Sequence, residues 1–131
     1  MNIKFCLVLI VGFAIGANCE DFNETIYTSD FQAVDSDLCV EFNYKPIFYD
    51  MTQTDAVRIT TEGVDDDGNK INKTIDEFEV TLPSRVWKTH FTTASYENPG
   101  AYKISMMRKY EYADIALTFY VNLYRGKCQS S

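Results

Sequence analysis

The chain holds a single histidine and a single tryptophan, and only four cysteines and three prolines among its 131 residues. Each scarcity closes off a class of function. A hydrolytic triad needs a histidine between a nucleophile and a carboxylate, and the lone His90 lies in a strand-like stretch with no nucleophile-elbow motif. It reads as a surface side chain, and no catalytic residue is expected. One histidine cannot complete a tetrahedral zinc site with cysteines so far apart in the chain. Basic residues are also few: 12 Lys and Arg stand against 19 Asp and Glu, a formal charge of −7. Nucleic acid and anionic membrane surfaces are therefore not expected partners. Phosphate-cradling glycine loops are absent, and no cofactor is expected.

Long apolar runs are missing after the first residues, and that first run is short. Lys4 precedes Phe5 to Ile15, broken only by Gly12, and Ala17-Asn18-Cys19 places small residues where a signal peptidase reads. Spanning a bilayer takes about 20 apolar residues, more than this run supplies. Residues 1–19 read as a cleaved secretory signal, with no membrane insertion, and the C-terminus has no hydrophobic tail for a lipid anchor. Cleavage removes Lys4 and no acid, taking the formal charge from −7 to −8. It also removes Cys6 and Cys19, which leaves Cys39 and Cys128 to pair in an oxidising compartment. An earlier cut would leave Cys19 unpaired and able to link two chains.

What remains has strand character. Residues 20–37 form a polar N-terminal segment with scattered aromatics, and alternation begins near Leu38. Val40, Phe42 and Tyr44 share a face; Ala56 to Thr60 and Phe78 to Leu82 alternate likewise. Trp87, Thr89 and Phe91 oppose Lys88 and His90, and Tyr102 to Met106 follows the same rule. In the last stretch Ile115, Leu117, Phe119, Val121 and Leu123 oppose Ala116, Thr118, Tyr120, Asn122 and Tyr124. Period-two alternation in β-branched and aromatic segments marks half-buried strands. Asp67-Gly68 and Asn98-Pro99-Gly100 mark reversals between them. Helical spacing is nowhere sustained after the signal. The expected fold is all-β, an antiparallel sandwich or jelly roll over residues 38–128 with a short tail at 129–131. A bridge from Cys39 to Cys128 would clamp it from its first clear strand to the end of its last.

Three surface features bear on function. Asp65-Asp66-Asp67-Gly68-Asn69 does not fit an EF-hand, because a loop with Gly68 in sixth place would begin at Gly63 and lack its glutamate. The run reads as a solvated hairpin turn, and a looser calcium site built from Asp65, Asp66 and Asp67 stays open beside it. Asn23-Glu24-Thr25 and Asn72-Lys73-Thr74 are N-glycosylation acceptors, and at least one is expected to carry a glycan. Tyr110, Tyr112, Tyr120 and Tyr124 cluster near the C-terminal strands; they suit a recognition surface as well as the edge of a core.

The C-terminal half resembles the end of a MAM domain: Tyr102-Lys103-Ile104-Ser105, then Tyr112-Ala113-Asp114-Ile115-Ala116-Leu117, then Gly126-Lys127-Cys128. Cys39-Val40-Glu41-Phe42-Asn43-Tyr44 is similar to that family's Cys-x-x-Phe-x-Tyr strand, and Trp87 falls where its central Trp strand would lie. The resemblance covers roughly residues 38–128. It implies a jelly roll, a long-range disulfide between Cys39 and Cys128, and a role in extracellular adhesion or protein recognition. Two features depart from the family. No cysteine of the mature chain precedes Cys39, and Thr118-Phe119 stands where an acidic pair usually follows the Ile-Ala-Leu stretch, which removes the residues for a metal there.

The expected function is that of a secreted recognition module for an extracellular protein or glycan. The alternative is a carrier holding a small apolar ligand between its sheets. The residues leave the partner and the oligomeric state open.

Overall fold

The computed structural model describes residues 22, 24–47, 54–110 and 116–129. Among them the chain forms β1 (Glu24–Thr28), β2 (Gln32–Val34), β3 (Asp37–Lys45), β4 (Asp55–Asp65), β5 (Lys70–Glu79), β6 (Lys88–Ser95), β7 (Gly100–Tyr110) and β8 (Thr118–Arg125). All strand pairs are antiparallel and lie in two sheets. One sheet runs β1-β7-β4-β5, with β2 beside β7 beyond the end of β1; the other runs β6-β3-β8. The described residues contain no helix long and apolar enough to cross a membrane.

The pairings show how the chain is wound. β4 pairs with β5, β3 with β6, and β2 with β7, so β2-β3-β4 run out and β5-β6-β7 run back as one long ribbon. The ribbon is folded over itself, which brings β7 beside β4 and β8 beside β3. This is jelly-roll winding, with successive links crossing between two sheets.

Alternation decides what the sheets bury. Val40, Phe42 and Tyr44 of β3 meet Val57 and Ile59 of β4, and Ile104 and Met106 of β7, in one core. Phe42 lies 5.4 Å from Phe78 and 5.3 Å from Phe119, ring centroid to centroid, so aromatic side chains fill the space between the sheets. At one end Tyr96 stacks on Tyr102 at 3.9 Å, and its hydroxyl is 2.6 Å from Thr61 Oγ1. Gly63 lies against Tyr102 there; a Cβ at that position would stand 2.1 Å from the Ala101 carbonyl oxygen. Only a residue without a side chain lets β4 and β7 approach so closely.

The core also holds charge. Arg108 Nε donates to Asp55 Oδ1 at 2.9 Å and Nη2 to Oδ2 at 2.6 Å, with Asp55 fully buried and Arg108 nearly so. Burial pushes the Asp55 carboxyl up, and the guanidinium pulls against it. The Arg108 guanidinium also lies 4.8 Å from the Tyr110 ring centroid.

Two readings are refined. The sheets extend into the polar N-terminal segment expected at 20–37: β1 and β2 pair with β7, and Val34 is buried in the core. These strands are short, polar and at an edge, so they carry no clear alternation. His90 is half-buried rather than fully at the surface: it is stacked on Phe78 at 3.8 Å, with Nε2 2.6 Å from Asp76 Oδ2.

The disulfide joins Cys39 of β3 to Cys128 just beyond β8, across 89 residues. The Cys128 amide donates to Thr93 Oγ1 at 3.1 Å, which ties the C-terminal stretch to β6 as well.

Candidate functional site

The outer faces of the two sheets differ in kind. On the larger sheet the outward face carries charged pairs: Arg58 Nε donates to Glu77 at 2.8 Å, and Lys103 Nζ lies 3.3 Å from Glu62. Such ladders solubilise a surface and satisfy its charges. The smaller sheet presents rings instead. Trp87, Phe91, Tyr120 and Tyr124 are 42–53 % exposed.

The register explains how four rings reach one face. Cys39, Glu41 and Asn43 point outward from β3. Opposite them stand Thr93, Phe91 and Thr89 of β6 on one side, and Tyr124, Asn122 and Tyr120 of β8 on the other. Trp87, just before β6, reaches across the sheet to Tyr120, with ring centroids 5.5 Å apart. The Trp87–Tyr120 pair bounds one end of the face, and the Cys39–Cys128 bridge bounds the other.

Between them lies a polar floor. Asn43 Nδ2 donates to Glu41 Oε2 at 2.7 Å, Asn122 Nδ2 to the same oxygen at 3.4 Å, and Thr89 Oγ1 to Asn43 Oδ1 at 2.6 Å. The bonds from Asn43 and from the Tyr124 hydroxyl hold the Glu41 carboxyl below its ordinary range, and Glu41 in turn raises the Tyr124 phenol. The floor is thus anionic at neutral pH and held in one geometry by its own bonds. Rings with little rotamer freedom around fixed polar groups form a surface that loses little entropy on binding.

Of the tyrosines read as a recognition surface, Tyr120 and Tyr124 lie on this face. Tyr110 belongs to the other sheet, beside Arg108, and Tyr112 lies outside the described residues. Trp87 and Phe91 join the face although the tyrosine cluster did not include them. Their shared side of β6 was visible in the sequence, but which side faces outward was not.

The acidic turn has another use. Asp65 is buried, and Oδ1 accepts the amides of Asp67 at 3.0 Å and Asn69 at 2.8 Å. Oδ2 accepts Nδ2 of Asn69 and of Asn98, each at 3.1 Å. Asp65 therefore fastens the β4–β5 turn to the β6–β7 link, and the Asn69 amide leads the bonds that hold its carboxyl below the usual range. Gly68 takes a φ of +90° in this turn. Among the described residues no three His, Cys, Asp or Glu side chains come together to hold a metal, Asp65, Asp66 and Asp67 included. A cleft of about 330 Å³ beside the turn is lined by Asp65, Asn69, Lys73, Tyr96 and Asn98; Asp65 accepts from both asparagines, Lys73 donates to the Ser95 carbonyl, and the Tyr96 hydroxyl bonds Thr61.

His90 Nε2 meets Asp76 Oδ2 at 2.6 Å. Thr92 Oγ1 donates to the same Asp76 Oδ2 at 2.6 Å, so the hydroxyl is bound to the carboxylate and not to the imidazole. Asn72 is exposed on β5, and Asn23 lies outside the described residues. Compared with known protein families, with characterised proteins and with solved structures, the chain matches none.

Proposed function

We propose that this chain is a secreted, non-catalytic recognition module that binds an extracellular protein or glycan on the outer face of β6-β3-β8. The observation carrying this reading is the exposure of Trp87, Phe91, Tyr120 and Tyr124 around a hydrogen-bonded Glu41–Asn43–Thr89–Asn122 floor. Exposed aromatics gathered on one face, bordering polar groups, mark interaction surfaces. The N-terminal signal pattern and the Cys39–Cys128 bridge support secretion. Jelly-roll winding and the position of that bridge are what the MAM resemblance implies, and they favour adhesion or recognition over chemistry.

A carrier would need space between its sheets, where Phe42, Phe78 and Phe119 pack ring against ring. The test is affinity capture from the fluid into which the protein is released, with a glycan array in parallel. Wild-type protein should retain a saturable partner that a Trp87→Ala, Tyr120→Ala variant of unchanged thermal stability loses. A partner retained equally by both would place binding elsewhere.

A further inference from the structure

We propose that the free edge of β8 is a self-association edge, at which a second copy of this chain adds its own β8 antiparallel. Two three-stranded sheets would then become one sheet of six. The winding itself leaves this edge open. β2, β3 and β4 are matched by β7, β6 and β5, whereas β8 pairs with β3 alone among the described residues. A strand edge offers a row of backbone donors and acceptors, and natural proteins blunt it with charge, proline, bulges or brevity.

The other edges are blunted. β5 carries Lys70, Lys73, Asp76, Glu77 and Glu79, and its register with β4 shifts between Ile59 and Thr60. β1 carries Glu24 and a shift of its own, and β2 is three residues long. β6 opens on Lys88 and is tied to β5 through His90 and Asp76. β8 is the least protected: its one charge, Arg125, stands at the very end, Thr118 to Tyr124 contains no charge, proline or glycine, and its eight residues pair with β3 without a shift.

Among the described residues only β3 lies beside β8, and Cys128, just past its end, is bound to Cys39. Phe22 sits beneath Arg58 and Lys109 of the larger sheet, 4.3 and 5.0 Å from ring centroid to cation.

A second copy fits because the strand is complementary to itself. Antiparallel pairing about a two-fold axis at Asn122 places Tyr120 opposite Tyr124 of the partner subunit on the outer face. Val121 then faces Leu123 of the partner subunit on the inner one. Aromatic and aliphatic cross-strand pairs are the favourable kind, and the same patch on both subunits makes a closed interface. Each copy is strongly acidic, but no acid lies on this edge, so the repulsion to overcome is long-range and screened by salt.

Sedimentation equilibrium of the secreted, disulfide-bonded protein across the micromolar range tests this. The mass should rise from one chain to two with concentration, at lower concentration when salt is raised. Asn122→Lys and Asn122→Asp should each stay monomeric, because like charges meet at the axis, and an equimolar mixture of the two should regain the doubled mass. A wild-type chain that stays monomeric, or a dimer that survives both substitutions, overturns the proposal. If either variant loses its fold by circular dichroism, amide exchange of the wild type decides. Protection along β8 that grows with concentration is expected. Protection that is concentration-independent, whether supplied by the chain's own N-terminus or by a co-purified extended segment of another protein, is contrary to it.

Discussion

His90 Nε2 and Asp76 Oδ2 stand 2.6 Å apart and join strands of opposite sheets at the edge of the sandwich. Thr92 donates to the same oxygen, and Phe78 covers the imidazole face. Burial opposes ionisation of Asp76, but the Thr92 and His90 bonds outweigh it, and the carboxyl is held below its ordinary range.

That shift has a signed consequence. A folded carboxyl below its unfolded value of about 3.9 stabilises the fold fully above that pH and loses the contribution as pH falls through the folded value. Asp65, shifted the same way by the amides of its turn, adds to the effect. Asp76→Asn should lower stability at neutral pH by on the order of 1 kcal/mol and flatten the acid limb of the stability curve. Urea unfolding between pH 3 and neutrality, in steps of about one unit across the carboxyl range, measures both.

The Asp55–Arg108 pair should be severe to break and mild to replace. Arg108→Met leaves a buried carboxylate without its partner, at a cost of about 3–5 kcal/mol. Asp55→Leu combined with Arg108→Met removes both charges and should recover much of that loss. Denaturant midpoints of the single and double variants give the comparison; a double variant no better than the single would mean that the pair's packing matters more than its charge.

Losing the Cys39–Cys128 bridge should be costly. A loop of about 90 residues is worth roughly 4 to 5 kcal/mol in the chain-entropy account, a large part of a small domain's stability. A Cys39→Ser, Cys128→Ser chain should be secreted poorly and melt far below the wild type. Equal yield and melting temperature would remove the bridge from the account.

Much of the fold was legible because strands write a period of two into sequence. The inward faces of β3, β7 and β8 follow from alternation alone, and the disulfide partners follow once Cys6 and Cys19 are read as part of a cleaved signal. β6 shows where that logic stops. Phe91, and Trp87 just before the strand, are the larger apolar residues, yet Thr92 and Ala94 face inward with His90, because Asp76 on β5 supplies the imidazole and the Thr92 hydroxyl with a partner. A pattern within one strand cannot contain that partner. The same holds for Asp55 and Arg108, 53 residues apart, and for the aromatic outer face, which exists only once β6, β3 and β8 lie side by side.

Trp87 is the only tryptophan in the chain and lies on the proposed face, so its fluorescence reports on that face directly. The decisive measurement is titration of the purified protein with its captured partner while Trp87 emission is followed, for wild type and for Tyr120→Ala. A saturable change in emission, with affinity at least about tenfold weaker in the variant, a difference of about 1.4 kcal/mol, is the predicted result. Saturable binding that leaves Trp87 emission unchanged and is indifferent to Tyr120 would contradict recognition at this face.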